Sequence, residues 1–165
     1  MHRVAILVST LVALSPLIAA ASEEDCIHLA YLRPHPPEIV ATEERELFHD
    51  VNVARSRRRL PPLSPDPALD TFALQVAEDM AERRYFGHTD PQGRTFQDRL
   101  RRARLDYRYA AENMAYDQDE EAANDAFLHS PGHYQNIMDP GKRRLGVAVV
   151  AAGDGEVFYV EEFTD

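Results

Sequence analysis

The sequence holds a single cysteine, Cys26, in 165 residues, so no disulfide can form within the chain and packing alone must hold the fold. In an oxidising compartment that thiol is free or joins two chains in a dimer. Basic residues are also scarce, with 18 Lys and Arg against 28 Asp and Glu and a formal charge of −10. That balance argues against nucleic acid or an anionic membrane face as the main partner, because both select cationic surfaces. Only seven glycines occur, and none builds a phosphate-cradling loop. A zinc ribbon, a G-x-S-x-G elbow, internal repeats and low-complexity tracts are likewise missing.

One long apolar run exists, Val4 to Ala20, interrupted by Pro16. It follows the positive start Met1-His2-Arg3 and ends in Ala19-Ala20-Ala21, the pattern of a secretory signal peptide spanning residues 1–21. Cleavage after Ala21 removes Arg3, takes the charge to −11 and leaves no transmembrane segment. Asp25 before Cys26 is wrong for lipoprotein processing. The expected location is therefore outside the cytoplasm, periplasmic or extracellular. Residues 22–41, with Pro34, Pro36 and Pro37, read as a linker, and residues 42–165 as one domain with a real core.

Within that domain, Thr42 is a plausible N-cap for a helix with Leu47, Phe48, Val51 and Ala54 on one face, ending in Arg55, Arg57, Arg58 and Arg59. Those arginines suit a helix C-terminus, where the dipole favours cations. Asp66-Pro67 starts a second helix that buries Leu69, Phe72, Ala73, Val76, Ala77 and Met80. A turn-rich loop from Tyr85 to Gly93 follows, and Thr95 with Asp98 forms a capping box for a third helix carrying Phe96, Leu100 and Ala103 inward. Tyr107 to Tyr116 reads as a bent or irregular strand, and Asp117 to Leu128 as a fourth helix with Ala122, Ala123, Ala126 and Phe127 as its apolar face. Ser130-Pro131 is a further start signal. Leu145 to Ala151 and Val157 to Phe163 form a hairpin across Gly153-Asp154-Gly155. Helices first and antiparallel strands late make an α+β fold.

Ala126 to Met138 concentrates chemistry: two imidazoles, a hydroxyl, a Pro-Gly break and an amide. His129 and His133 have the spacing of a helical zinc pair, but Ser130-Pro131 breaks the helix between them. Asp117, Asp119 and Glu121 resemble the start of a calcium loop, yet Ala122 and Leu128 stand where its glycine and final glutamate belong, so they read as a helix N-terminus. His133, in the first turn of its helix, should stay neutral. His88 sits on a loop where packing demands no imidazole, and Glu112 lies in the most apolar part of the middle region, at a sheet edge or paired in a cavity.

From about Leu47 onward the chain resembles the CAP superfamily, also called the SCP domain, and most of all its short bacterial secreted branch. The resemblance rests on Asn52-Val53-Ala54-Arg55, Leu60-Pro61-Pro62-Leu63, Asp66-Pro67-Ala68-Leu69, Met80-Ala81, Phe86-Gly87-His88, Ala111-Glu112-Asn113-Met114-Ala115, Ser130 to Met138, Gly146-Val147-Ala148 and Tyr159 to Phe163, in that order. It implies a three-layer α-β-α sandwich with a central antiparallel sheet. It also implies a cleft of two histidines and two acids that in some members holds zinc or another divalent metal. Matched by motif, His88, Glu112 and His133 are three of those groups, with Asn113 and Ser130 also in the cleft. Phe127 matches a family tryptophan, which puts the second acid at Ser130, and Ala111 replaces a glycine.

Three arrangements stay open. His88, Glu112 and His133 with a water form an open zinc set; Glu112 instead orients one imidazole, leaving two weak ligands; or Ser130 is a nucleophile with His133 as base and Glu112 as orienter. The leading expectation is a non-enzymatic extracellular or cell-envelope binding module whose cleft takes a divalent metal, a small ligand, a lipid or an envelope component. The alternative is a metal-dependent hydrolase of peptide or envelope polymer in which Glu112 is catalytic. The missing second acid favours the first, since Ser130 is a poor general base.

Overall fold

The computed structural model describes residues 36–153 and 155–165. The expected signal peptide, Cys26 and most of the expected linker lie outside the described residues. Asp66 makes the second-helix start visible in atoms. Its side chain accepts from Ala68 N, Pro67 takes the first helical position, and the helix runs Pro67–Arg83 (α2), burying all six expected apolar residues. Ahead of it, α1 spans Pro37–Arg57 and β1 is the two-residue strand Ser64–Pro65. The order continues with α3 (Phe96–Ala103), β2 (Ala110–Asp117), α4 (Glu120–His129), α5 (Pro131–Met138), β3 (Arg144–Ala151) and β4 (Val157–Thr164).

The first helix corrects two expectations. It starts at Pro37, within the segment read as linker, and Thr42 lies inside it, donating from its hydroxyl to Glu38 O at 2.8 Å. Pro36 and Pro37 were signals of a helix start, with Pro37 at a position that needs no N–H, and they did not mark a linker. Of the arginines that close α1, Arg57, Arg58 and Arg59 are exposed as expected of dipole-facing cations. Arg55 is fully buried. It donates to the carbonyls of Pro61, Ile137 and Asp139 at 2.9, 2.7 and 3.0 Å, tying the end of α1 to the end of α5.

The sheet order is β1-β3-β4-β2. The three long strands are antiparallel, β3 to β4 and β4 to β2, while β1 adds to β3 in parallel, so the expected antiparallel sheet is mixed at one edge. The middle segment, expected to be irregular, forms the regular eight-residue β2, paired with β4 from Ala110 opposite Thr164 to Asp117 opposite Val157. Local propensity gave a mixed signal, and the register with a fully buried β4 decided the outcome. The strand also takes Asp117 from the expected fourth helix, which begins instead at Glu120, capped by the Asp119 side chain.

Helices cover both faces. On one, Leu47 and Val51 of α1, Ala123 and Phe127 of α4 and Ile137 of α5 meet Val147, Val149, Tyr159 and Phe163. On the other, Phe72, Ala73, Val76 and Met80 of α2 and Phe96 and Leu100 of α3 meet Met114, Ala148, Phe158 and Val160. Each fully buried Phe, Leu or Val removes enough apolar area to stabilise by about 1.5–3 kcal/mol, which replaces what a disulfide would otherwise supply. Gly146 sets the distance on the second face. A Cβ there would stand 2.3 Å from Leu69 C and 2.4 Å from Asp70 N, so α2 lies directly on the strand backbone. Past β1, the open edge of β3 is answered by side chains: Val147 N donates to Asp70 Oδ1 at 3.0 Å and Val149 N to Glu44 Oε1 at 3.3 Å.

Candidate functional site

The site gathers at β2, the edge strand of the sheet, because successive β2 residues point to opposite faces. Glu112 points toward the face covered by α2 and α3, and Asn113 toward the face covered by α4 and α5. His88 reaches Glu112 from the loop after α2. That loop is fixed by the buried Asp90: one carboxylate oxygen accepts from Gln92 N and Arg94 N, each at 2.9 Å, and the other pairs with Arg94 Nε. Gly93, at φ +78°, supplies the left-handed residue the turn requires. With Asp90 holding the loop, His88 Nδ1 sits 2.8 Å from Glu112 Oε1.

Arg99, on α3, completes this arrangement. Its Nη2 lies 2.8 Å from both oxygens of Glu112. A carboxylate clamped by a guanidinium accepts, so Nδ1–H of His88 is the donor, on a side chain 56 % exposed. This is the second of the open arrangements, in which Glu112 orients an imidazole.

His133 arrives from the other face. Asn113 Nδ2 donates to His133 O at 3.3 Å and to Glu161 Oε2 at 2.8 Å, while Asn113 Oδ1 accepts from Asn136 at 2.8 Å. Asn113 therefore fastens α5 to the sheet. The His133 ring packs edge-on against Phe127, centroids 5.2 Å apart, and its buried Nδ1 has no hydrogen-bond partner. Burial first, and the neighbouring His88 second, hold its pKa below the usual value. The neutral state matches expectation, with burial as its main cause.

Ser130 stands at the extended junction between α4 and α5, but its hydroxyl caps nothing. The cap bond expected of it is not made, and Tyr134 N donating to Ser130 O at 2.9 Å is the first ordinary bond of the helix. A Ser130–His133–Glu112 relay is not assembled, since Glu112 orients His88. His129 is an exposed bystander bonded to Asp125.

Two acids missed in the sequence complete the interior. Glu162 lies opposite Glu112 across the β2–β4 register, is 1 % exposed, and neither of its oxygens meets a donor. Burial and the facing Glu112 push its pKa well up, so it holds a proton. Glu161, on the other face, is fully buried and raised to about 8 by burial against the opposing Asn113 bond. The signal was Glu161-Glu162 within an apolar strand. Adjacent strand residues face opposite ways, so a sheet covered on both sides must bury both. Arg99 carried no such signal among Arg94, Arg101 and Arg102.

The donors fit a two-imidazole site better than a three-ligand one. Both Glu112 oxygens are engaged by Arg99, and among the described residues no three His, Cys, Asp or Glu side chains converge as a metal would require. Beside the His88 loop, a cavity of about 510 Å³ is walled by Tyr85, Phe86, Tyr116 and Phe158. Among the described residues no helix is long and apolar enough to cross a membrane.

Comparison with known proteins comes to the same architecture. Residues 48–163 match the family described as CAP, the cysteine-rich secretory protein family. An uncharacterised membrane protein of Bacillus subtilis is 33 % identical over 113 residues, 68 % of this chain and 33 % of that protein. A solved extracellular protein containing an SCP domain, from Bacillus anthracis, superposes with a TM-score of 0.71 at 31 % identity, over 80 % of this chain and 44 % of that one. An outer surface protein of Borrelia burgdorferi shares the fold, with a TM-score of 0.70 at 21 % identity over 75 % of this chain and 92 % of that one. The chain thus spans less than half the length of the two Bacillus relatives.

Proposed function

The chain belongs to the cysteine-rich secretory protein (CAP) family, and from that premise we propose that it is an exported, non-enzymatic binding domain whose cleft presents His88 and His133 to a small ligand or a divalent metal. One observation carries this reading: Arg99 closes both oxygens of Glu112, which leaves the cleft two imidazoles and no free carboxylate. Glu112 orients His88, and the buried His133, its pKa held down by burial, supplies the second imidazole. A divalent ion held here would rest on the two imidazoles with water in its remaining positions, a weak set compared with three protein ligands. The aromatic wall of Phe86, Tyr116 and Phe158 next to His88 suits an apolar or ring-bearing part of a lipid or envelope component. Export agrees with the extracellular and outer-surface proteins that share the fold.

The hydrolase reading keeps one supporting feature, the 2.8 Å bond that orients His88 as a carboxylate-backed base. Calorimetric zinc titration of the wild type beside His88→Ala and His133→Ala decides the metal part. We expect weak saturable binding, lost in both variants. Binding beyond about millimolar, or equal in all three proteins, would remove the metal from the proposal. Turnover of peptide or envelope polymer that disappears in a folded Glu112→Gln variant would replace the binding reading with the enzymatic one.

A further inference from the structure

The end of the sheet beyond α2 is walled by aromatic rings. Helix α2 covers this face only as far as Arg83, and past it the rung of Tyr116 opposite Phe158 is met by Phe86 from the following loop. The three rings form one cluster: Tyr116 and Phe158 have centroids 4.6 Å apart, and Phe86 stands 6.2 Å from the first and 6.4 Å from the second. Phe158 is buried, whereas Phe86 is 53 % exposed and Tyr116 37 %. A single exposed ring needs no explanation. Two of them gathered over a buried third make a continuous apolar patch, and all three line the cavity of about 510 Å³.

Arg84, the left-handed residue that ends α2 at φ 53°, lines the same cavity. It is exposed and makes no ion pair among the described residues. Tyr85 adds its ring but not its hydroxyl, which donates to Asp79 at 2.6 Å. The wall therefore offers flat apolar faces, partly in water, with an uncommitted guanidinium beside them. An alkyl chain gains little from faces this open, because its whole circumference has to leave water. A sugar ring differs. One of its faces is made of C–H groups, slightly positive, which suit the negative face of an aromatic ring, while its rim of hydroxyls stays hydrated. A carboxylate on that rim matches the fork of an arginine.

We propose that this cavity binds an acidic saccharide, with one sugar ring stacked on Phe86 and Tyr116 and its carboxylate on Arg84. The proposal rests on the binding-domain reading and names the envelope component as an acidic polysaccharide. The aromatic wall carries the affinity, and Arg84 selects the charge. A chain with a formal charge of −10 repels an anionic polymer as a whole, so a preference for one has to come from a cation at the site itself. The cavity has a size usual for small-ligand sites. None of its lining residues is His88, Glu112 or His133, so it stands whether or not the imidazoles hold a metal.

The test is titration of the full chain, in metal-free buffer, with tetragalacturonate, with the uncharged maltotetraose and with octanoate, a carboxylate on an alkyl chain. Heat is followed by calorimetry and the aromatic ring signals by NMR. We expect saturation by tetragalacturonate below about 10 mM, with maltotetraose weaker by about tenfold or more. Phe86→Ala should weaken both saccharides about tenfold, and Arg84→Gly should bring tetragalacturonate down to the level of maltotetraose. Glycine suits the left-handed backbone at position 84, so that variant should fold at least as well as the wild type. No saturation by tetragalacturonate below about 10 mM, equal affinity for the two saccharides, undiminished tetragalacturonate binding in either variant, or tighter binding of octanoate would each overturn the proposal. Any of these leaves the zinc titration of His88 and His133 untouched, and loss of zinc binding leaves the saccharide result standing.

Discussion

Replacing Glu161 by Gln should stabilise this protein, and by an amount that depends on pH. Glu161 is fully buried on β4, bonded at one oxygen by Asn113 and at the other by nothing. Its pKa rises from 4.5 to about 8, with burial as the main cause. Between those two values the folded state keeps the proton that the unfolded chain releases, so stability falls as pH rises through that window and the loss is complete above it. The penalty is about 3 kcal/mol at pH 7 and under about 1 kcal/mol at pH 5, from 1.36 kcal/mol per pH interval. Glutamine keeps the acceptor for Asn113 and cannot ionise. Its amide, like the protonated acid, leaves one polar group without a partner, a cost that does not vary with pH. The gain of Glu161→Gln over wild type should therefore grow by about 2 kcal/mol between pH 5 and pH 7, several degrees in Tm for a domain of this size. The chain has no tryptophan, so urea unfolding at pH 5, 6, 7 and 8 is best followed by far-ultraviolet circular dichroism. A difference between the two proteins that is constant across that range, or that shrinks as pH rises, would refute the assignment of Glu161 as a buried neutral acid.

Two further substitutions test the scaffold that holds the cleft. Gly146→Ala drives a methyl group into the backbone of Leu69 and Asp70 and should cost about 3 kcal/mol by lifting α2 off the sheet, measured as a loss of urea midpoint at unchanged m. Arg55→Ala leaves the buried carbonyls of Ile137, Asp139 and Pro61 without their donor and should cost at least about 3 kcal/mol, with amide exchange rising first in α5, the helix that carries His133.

The cleft is built by strand alternation as much as by its motifs. Glu112 and Glu162 form one carboxyl pair facing α3, and Asn113 and Glu161 form a second polar pair facing α5, across the same two rungs of the β2–β4 ladder. Each pair is reached by one cationic or amide partner, Arg99 at Glu112 on one face and Asn136 at Asn113 on the other, while both Glu162 oxygens and one of Glu161 meet no donor. The two histidines are positioned by these pairs from opposite sides of the sheet edge.

Wherever the cause was local, the sequence by itself determined the outcome. The Asp66-Pro67 start, the Thr95–Asp98 capping box, the buried face of α2 and the Gly153–Gly155 hairpin all depend on residues a few positions apart, and all stand where the pattern put them. The motifs also brought His88, Glu112, Asn113 and His133 into one region. What only the tertiary structure decided depends on partners distant in the chain. β2 became a regular strand because β4 offered it eight rungs, and Arg55 became a buried clasp because α5 ends beside it. Glu112 turned from an available ligand into an orienter because Arg99 reaches it from another helix. Ser130 kept the cap position without the cap bond. A charged side chain carries its charge in the sequence, but its role is fixed only when folding selects which opposite charge it faces and how much water remains between them.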